Sequence, residues 1–273
     1  MPRFTKLKGL SPWRKVALVT WDKPSQPTVY GSYEFDATNA QALITRLNQE
    51  NGTEISLTHL VAKALADTIA LYPATNGIIR WGNIYLRKDV SLSVHVAMPR
   101  ADDPLRDHLS VAKIENADQK SIGSIASDLK NQAKKIRNGS EDRFDKTFSI
   151  ANLLPSFLLR LLVKAHEFLV FNLGVNLPKI GLIPDPFGSA MVTSVGMLGL
   201  PPGLAPLVPP SRCPLIICQG AVQKKPWVVQ NEVKVRPVAG LTCTFDHRFM
   251  DGFMASRMFQ VLRERLEEPQ RFF

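Results

Sequence analysis

The alternation of apolar and polar residues changes its period near the C-terminus of the chain. Residues 241–246 read Leu-Thr-Cys-Thr-Phe-Asp, in which every second side chain is apolar. This period of two predicts a half-buried strand. From Phe253 to Leu266 the apolar residues recur at helical spacing, which predicts an amphipathic helix. His247 is therefore expected where a strand ends and a helix begins, a place where functional residues tend to concentrate.

The same periodicities predict further elements along residues 1–273, which we interpret as a single domain. Helices are predicted from Asp36 or Thr38 to about Gln49, from Ser56 or Thr58 to just before Tyr72-Pro73, and over Ser121–Arg137. Strands are predicted over Thr28–Phe35, Val90–Met98, Ser189–Val195, Leu215–Ala221, Trp227–Val229 and Val233–His247, with hairpin turns around Trp81-Gly82-Asn83 and at Asn231-Glu232. This order favours an α+β fold in which helices flank a mixed or antiparallel β-sheet.

Composition adds one departure from an ordinary globular protein, which is its charge. The 273 residues are 45% hydrophobic, but 34 basic residues against 24 acidic ones leave a net charge of +10. One interpretation of this charge is a solvated basic surface. The others are binding of an anionic cofactor, of an acidic carrier protein or of an anionic membrane face. Nucleic acid is not expected as a partner, because no basic-aromatic module or zinc-finger spacing occurs.

The spacing of the cysteines indicates whether a metal site is present, and the N-terminal residues indicate the cellular location. Cys213, Cys218 and Cys243 form no Cys-x-x-Cys pair, and the last two lie in apolar, strand-like runs, so buried thiols are expected and no metal site is. The N-terminus is basic but has no apolar stretch behind it. We therefore expect no signal peptide and a cytoplasmic location.

The segment Asp246-His247-Arg248-Phe249-Met250-Asp251-Gly252 resembles a known signature. It is similar to the Asp-His-Arg-x-x-Asp-Gly motif of the acyltransferase cores of 2-oxo acid dehydrogenase complexes, which have the chloramphenicol acetyltransferase-like fold. The resemblance extends from Leu10 to Phe272 and includes Ser11–Lys15, Tyr72–Asn76 and Val96–Arg100, the last being similar to the strand that lines the substrate channel. It implies a chloramphenicol acetyltransferase-like sandwich.

This resemblance implies a CoA-dependent acyltransferase that moves an acyl group between a CoA thioester and a thiol or small-molecule acceptor. His247 would be the general base that deprotonates the incoming thiol. Asp251 would hold the active-site loop through an ion pair with Arg14, although an aspartate before a helix is also a preferred N-cap. Arg248 matches the motif but is equally an exposed arginine at a strand end. Gly252 is expected to permit close backbone approach.

A hydroxyl group is expected to stabilise the oxyanion of the tetrahedral intermediate. The family uses a serine in a Thr-x-Ser-x-x-Gly-x-x-Gly stretch, and alignment on Gly196 and Gly199 places Thr193 at that position. The neighbouring Ser194 is the alternative donor. His95, on the predicted channel strand, is a candidate substrate contact.

The resemblance also implies partners. In the family each active site lies between two subunits of a trimer, so we expect a homotrimer, possibly within a larger cage. Coenzyme A is expected as part of the substrate. No lipoyl domain, subunit-binding domain or lipoyl-attachment lysine is identified, so the expectation is a core that meets a lipoyl or carrier protein in trans. The alternative from a different class is an assembly protein that keeps the trimeric core with weak or no catalysis.

The segment from about Asp145 to Phe187 departs from the family as a helical insertion. Its centre, residues 153–173, is apolar, but Arg160, Lys164 and Glu167 make it an amphipathic helix rather than a membrane span. Three interpretations remain open. The apolar face packs on the domain or a neighbouring subunit, it forms a lid over an acyl channel, or it lies on a membrane surface in a membrane-peripheral acyltransferase.

Overall fold

A computed structural model describes residues 27–51, 54–98, 108–137, 154–177 and 185–273 of the chain. Its helices are α1 Thr38–Asn51, α2 Leu57–Leu71, α3 Ile122–Arg137, α4 Ser156–Glu167 and α5 Gly252–Glu267. Its strands are β1 Thr28–Asp36, β2 Gly77–Arg80, β3 Asn83–Leu86, β4 Leu92–Met98, β5 His108–Ile114, β6 Ala190–Ser194, β7 Leu215–Val229 and β8 Glu232–Asp246.

Six strands form one mixed sheet in the order β1-β8-β7-β6-β4-β5, and β2 with β3 forms a separate hairpin. Strand β6 runs parallel to both β4 and β7, whereas the other neighbours in the sheet are antiparallel. The predicted α+β fold with a mixed sheet is confirmed. Leu215–Ala221 and Trp227–Val229 belong to one 15-residue strand, which is irregular between Gln219 and Val222.

The main core lies between one face of the sheet and the helices. Alternate residues of the central strands point into it, and they meet the apolar stripes of α2 and α5, including Leu60, Leu65 and Leu262. The opposite face of the sheet carries a smaller cluster, in which Met191 and Ile216 pack under the loop that contains Leu207 and Cys213. All three cysteines are buried free thiols, as the sequence predicts.

Local chemistry sets several element boundaries. Asp36 accepts a hydrogen bond from the backbone N–H of Thr38 at 2.9 Å at the start of α1. Ser56 is the N-cap of α2, which ends before Pro73 as predicted, since proline cannot continue the helix. The hairpin turn between β7 and β8 is formed by Gln230 and Asn231, one residue earlier than predicted.

The π-helical turn Phe168–Asn172, which follows α4, contacts the β2–β3 hairpin through Trp81 and Arg80. The Nε atom of Arg80 donates to the carbonyl oxygen of Asn172 at 2.7 Å, which satisfies a carbonyl at the end of the turn. Glu167 pairs with Arg212 at 3.1 Å. The segment is thus tied by polar contacts to the hairpin and to the loop before β7. Among the described residues, no helix combines the length and the apolar character needed to span a membrane.

Arg87 forms a largely buried ion pair with Asp185. Its guanidinium donates to both carboxylate oxygens of Asp185, at 2.7 and 2.8 Å, and to the carbonyl oxygen of Gly77 at 2.6 Å. The Arg87 side chain is only 9% exposed. Removing one partner of such a pair leaves the other charge uncompensated in a poorly solvated place.

We therefore expect Arg87→Met to lower the free energy of unfolding by about 3 kcal/mol. Lys130→Met is the control, because the Lys130–Glu54 pair lies at the surface and should change stability by about 0.5 kcal/mol or less. Urea unfolding at one fixed protein concentration measures both variants. Equal effects of the two substitutions would contradict the structural role of Arg87.

Candidate active site

His247 lies where β8 ends, as its sequence position predicts. The last strand residues are held on both sides, because Phe245 is paired with Val29 of β1 and with Leu215 of β7. The backbone N–H of His247 donates to the carbonyl oxygen of Pro27 at 2.8 Å, whereas its side chain is exposed. A fixed backbone thus presents an accessible imidazole at the end of the sheet.

The two motif residues on either side of His247 are bound to each other. The carboxylate of Asp246, which is only 2% exposed, accepts from the backbone N–H of Arg248 at 3.0 Å and from its Nε at 2.9 Å. The hydrogen bond to Asp246 raises the pKa of Arg248. This pair closes the turn around His247, and sequence reasoning missed it, although the spacing of two residues was visible in the motif.

Asp251 is the N-cap of α5. Its Oδ1 accepts from the backbone N–H of Met254 at 2.8 Å, so the N-cap role that the sequence allowed is present. Arg14 lies outside the described residues, and its pairing with Asp251 stays a prediction. An added Cβ at Gly252 would meet no described heavy atom within 4 Å. The predicted close approach at Gly252 is therefore not made by the part of this chain that the structure describes.

The candidate hydroxyl residues end strand β6. Thr193 is paired with Cys218 of β7, and Ser194 with Gln219. Since Val192 points into the main core, Thr193 points to the opposite face of the sheet. The Ser194 hydroxyl accepts from the backbone N–H of Gly196 at 3.3 Å. Ser194 thus takes part in the turn after β6, while Thr193 faces outward from the sheet.

A loop contact supports this turn and was not predicted. Pro202 lies so close to Gly220 and Gly240 that a Cβ added to Gly220 would be 2.4 Å from its Cδ. Glycine at these two strand positions lets the loop that follows Thr193 lie flat on β7 and β8. The side chain of Gln219 is held nearby, where its Oε1 accepts from the Thr58 hydroxyl at 2.9 Å.

The register of the sheet separates the base from the hydroxyl within one chain. Thr193 is paired with Cys218 of β7, and Cys218 is paired with Thr242 of β8. His247 follows the last residue of β8, five residues after Thr242. At roughly 3.3 Å per residue along the strand and roughly 4.8 Å per strand across the sheet, His247 and Thr193 are about 19 Å apart. They cannot act on one thioester in the same chain.

His95 lies beside Thr193 on the same sheet face, because β4 and β6 are aligned as Val94 with Val192. Its Nδ1 is buried and has no hydrogen-bond partner among the described residues. Burial lowers the pKa of His95 to about 4. The ring is therefore neutral at pH 7, so it is available as a hydrogen-bonding group rather than as a charge.

This burial predicts a pH dependence of stability. The folded pKa lies below the unfolded value of about 6.5, so the unfolded chain binds a proton first and stability falls as the pH drops from about 6.5 towards 4. Relative to pH 7.5, His95 should cost the wild type about 2 kcal/mol at pH 5. Urea unfolding at both pH values is the measurement. His95→Gln should remove that part of the pH dependence, and an unchanged dependence would contradict it.

Within the described segments, no group of three or more histidine, cysteine, aspartate or glutamate side chains is placed to hold a metal ion. The chemical groups that the motif residues offer are the imidazole of His247 and the hydroxyls of Thr193 and Ser194. Such a set suits proton transfer and oxyanion stabilisation.

The family model for the 2-oxoacid dehydrogenases acyltransferase (catalytic domain) matches residues 12–154 and 187–273. The chain belongs to this family. The resemblance of the His247 motif is confirmed by this match. Residues 155–186, which include α4 and its π-helical turn, lie outside the matched ranges.

Individual relatives agree with the family match. The chain is 26% identical over 250 residues to the lipoamide acyltransferase component of the branched-chain alpha-keto acid dehydrogenase complex of Bacillus subtilis, covering 90% of this chain and 48% of that protein. It therefore spans about half the length of this curated relative.

Solved structures confirm the fold. The cubic core of the pyruvate dehydrogenase multienzyme complex matches with a TM-score of 0.70 at 18% identity, covering 98% of this chain and 95% of that one. A dihydrolipoamide acetyltransferase of Azotobacter vinelandii, studied for the role of a serine, a histidine and an asparagine in its catalytic mechanism, matches with a TM-score of 0.68 at 18% identity, covering 98% and 93%. Chloramphenicol acetyltransferase matches with a TM-score of 0.50 at 9% identity, covering 97% and 99%.

Proposed function

We propose that the chain catalyses acyl transfer between a CoA thioester and a thiol acceptor, with His247 as the general base. The observation that carries this proposal is the exposed imidazole of His247, held at the end of β8 within the family motif. A histidine suits the task because its ordinary pKa lies near the working pH. The net charge of +10 is compatible with an anionic CoA substrate.

The comparison with the A. vinelandii enzyme supports the residue assignment. Its named histidine and asparagine are four positions apart, as His247 and Asp251 are here. Asparagine and aspartate can both cap a helix through a side-chain oxygen. Asp251 would thus hold the turn between His247 and α5, and Arg248, fixed by Asp246, would hold it from the other side.

The reaction proceeds by proton removal and addition. His247 takes the proton of the acceptor thiol, and the thiolate attacks the carbonyl carbon of the acyl-CoA thioester. The carbonyl oxygen becomes an oxyanion, to which the Thr193 hydroxyl donates a hydrogen bond. The intermediate then expels the CoA thiolate, which takes the proton back from the imidazolium of His247. The reaction needs no reactant other than the acceptor thiol and the acyl-CoA.

The active site is placed between subunits in this proposal. Because His247 and Thr193 are about 19 Å apart in one chain, the hydroxyl must come from a neighbouring copy. A closed homotrimer supplies each His247 with one such neighbour. The similarity to the cubic core supports a trimer that could assemble further. The acceptor would be a lipoyl-type or carrier thiol supplied in trans.

The test uses purified protein, a panel of short, branched, dicarboxylic and medium-chain acyl-CoAs, and free dihydrolipoamide as the acceptor. Mass spectrometry of the acyl-dihydrolipoamide product, with chromatography of released CoA, identifies the preferred acyl group. Turnover with at least one donor that depends on His247 is the expected result. No turnover with any donor would favour an assembly protein that keeps the core without catalysis.

A further inference from the structure

The inserted helix α4 exposes its apolar side chains instead of burying them. Phe157 is 75% exposed and Leu161 is 62% exposed, and Phe168 at the following π-helical turn is also exposed. These residues are separated by four and seven positions, so they lie on one side of the helix. The segment is held to the domain from the other side, through the buried Leu159, Val170 and Phe171.

The carboxylate of Glu167 in the same segment is turned towards the protein. Glu167 is half-buried and pairs with Arg212, and the guanidinium of Arg212 also lies 5.5 Å from the ring centroid of Phe171. The polar side of α4 is thus partly used for internal contacts. Its apolar side, which includes Phe157 and Leu161, is exposed.

The β2–β3 hairpin extends this apolar surface. Trp81 is 59% exposed, and its ring meets that of Phe168 edge-on at 5.9 Å. Ile84 and Leu86 of β3 are also exposed, but they point to the face of the hairpin opposite Tyr85. We call the exposed side chains of Phe157, Leu161, Phe168 and Trp81 the apolar platform. A contiguous apolar surface of this kind marks an interaction site.

Charge distinguishes between the possible occupants of the apolar platform. Lys164 is exposed and lies three residues after Leu161 and four before Phe168, in the middle of the apolar side. Arg87 is neutralised by Asp185 and Arg80 donates to the carbonyl oxygen of Asn172, so Lys164 is the cation that lies within the apolar side. A lysine at the centre is disfavoured in a protein–protein interface.

A lipid surface accommodates the same arrangement. Phenylalanine, leucine and tryptophan enter the boundary between headgroups and acyl chains, while a lysine extends its charge to the headgroups. We propose that the apolar platform docks the protein on an anionic membrane surface. Lys164 adds electrostatic attraction to acidic lipids, which falls with rising salt.

The platform also lies next to the candidate active site. Phe249 of the motif is so close to Gly77 at the start of β2 that a Cβ added there would be 3.0 Å from the Phe249 ring. The hairpin therefore connects the turn of His247 to the π-helical turn that follows α4. Docking through the platform would bring the membrane to the side of the site formed by the hairpin. The docking itself does not depend on the proposed acyl transfer.

Vesicle co-sedimentation tests the proposal on the full chain. Vesicles of phosphatidylcholine alone are compared with vesicles in which a third of the lipid is phosphatidylglycerol. Wild-type protein should bind the anionic vesicles, and Phe157→Gln with Leu161→Gln should lower the partition coefficient by about tenfold or more. Lys164→Glu should lower it on anionic vesicles and reduce its salt dependence.

The matched control replaces two equally exposed valines on the β7–β8 ribbon, Val233→Gln with Val235→Gln, and should bind vesicles as the wild type does. Far-ultraviolet circular dichroism and thermal unfolding establish that each variant is folded. The proposal is overturned if wild-type protein does not bind anionic vesicles, or if the platform and ribbon variants bind equally. It is also overturned if the platform variants change only the sedimentation velocity of the protein, since the surface then joins copies of this chain.

Discussion

His247→Ala is expected to lower kcat for acyl transfer by about 100- to 10,000-fold, the usual contribution of a positioned general base. Without the imidazole, the acceptor thiol must lose its proton to water, and the departing CoA thiolate has no proton donor. KM should change little, because the side chain of His247 acts on the proton and does not hold the body of the substrate. Product formation by mass spectrometry, with the best acyl-CoA of the panel, measures the effect.

The His247→Ala substitution is expected to leave the fold intact. Among the described residues, the hydrogen bond of His247 is made by its backbone N–H to Pro27, so alanine should keep the fold and change the free energy of unfolding by about 0.5 kcal/mol or less. His166→Ala is the control, since it removes an imidazole of α4 that is not part of the His247 motif, and it should keep wild-type activity. Retention of more than about a third of the activity by His247→Ala would remove the base from the mechanism.

The elements that periodicity predicted well are those with one strongly apolar side. Helices α2 and α5 and strand β8 are of this kind, and their positions depend little on the rest of the fold. Strand β5 was missed because its inward-facing residues are Ser110, Ala112 and Ile114, of which only one is large and apolar. The turn at Gln230 and Asn231 was displaced by one residue because glutamine gives little signal for its φ of 52°.

The candidate site was predicted in its residues but not in its geometry. The sequence motifs identified His247, Asp251 and Thr193 as candidates. The distance between the His247 imidazole and the Thr193 hydroxyl follows only from the register of the sheet. The direction in which α4 faces was likewise beyond the sequence. Its helical spacing shows two sides, and the structure shows that Leu159 and Glu167 face the domain whereas Phe157 and Leu161 are exposed.

The hydroxyl variants should separate the two candidates on β6. Thr193→Val keeps the shape of the side chain and removes the O–H, so kcat should fall by about 100-fold, as for the loss of an oxyanion donor. Thr193→Ser keeps the donor and should retain activity. Ser194→Ala should have a smaller effect, because the Ser194 hydroxyl accepts from the N–H of Gly196 in the turn. The reverse order of effects would assign the donor to Ser194.

Mixing two inactive variants then tests the division of the site between subunits. Thr193→Val chains keep His247, and His247→Ala chains keep Thr193, so a boundary between one chain of each kind can hold a complete site. If the variants are co-expressed equally and assemble at random into trimers, about a quarter of the boundaries pair the intact base with the intact hydroxyl. Activity should recover to about a quarter of the wild-type value, whereas a site formed within one chain would give no recovery, because no single chain in the mixture carries both groups.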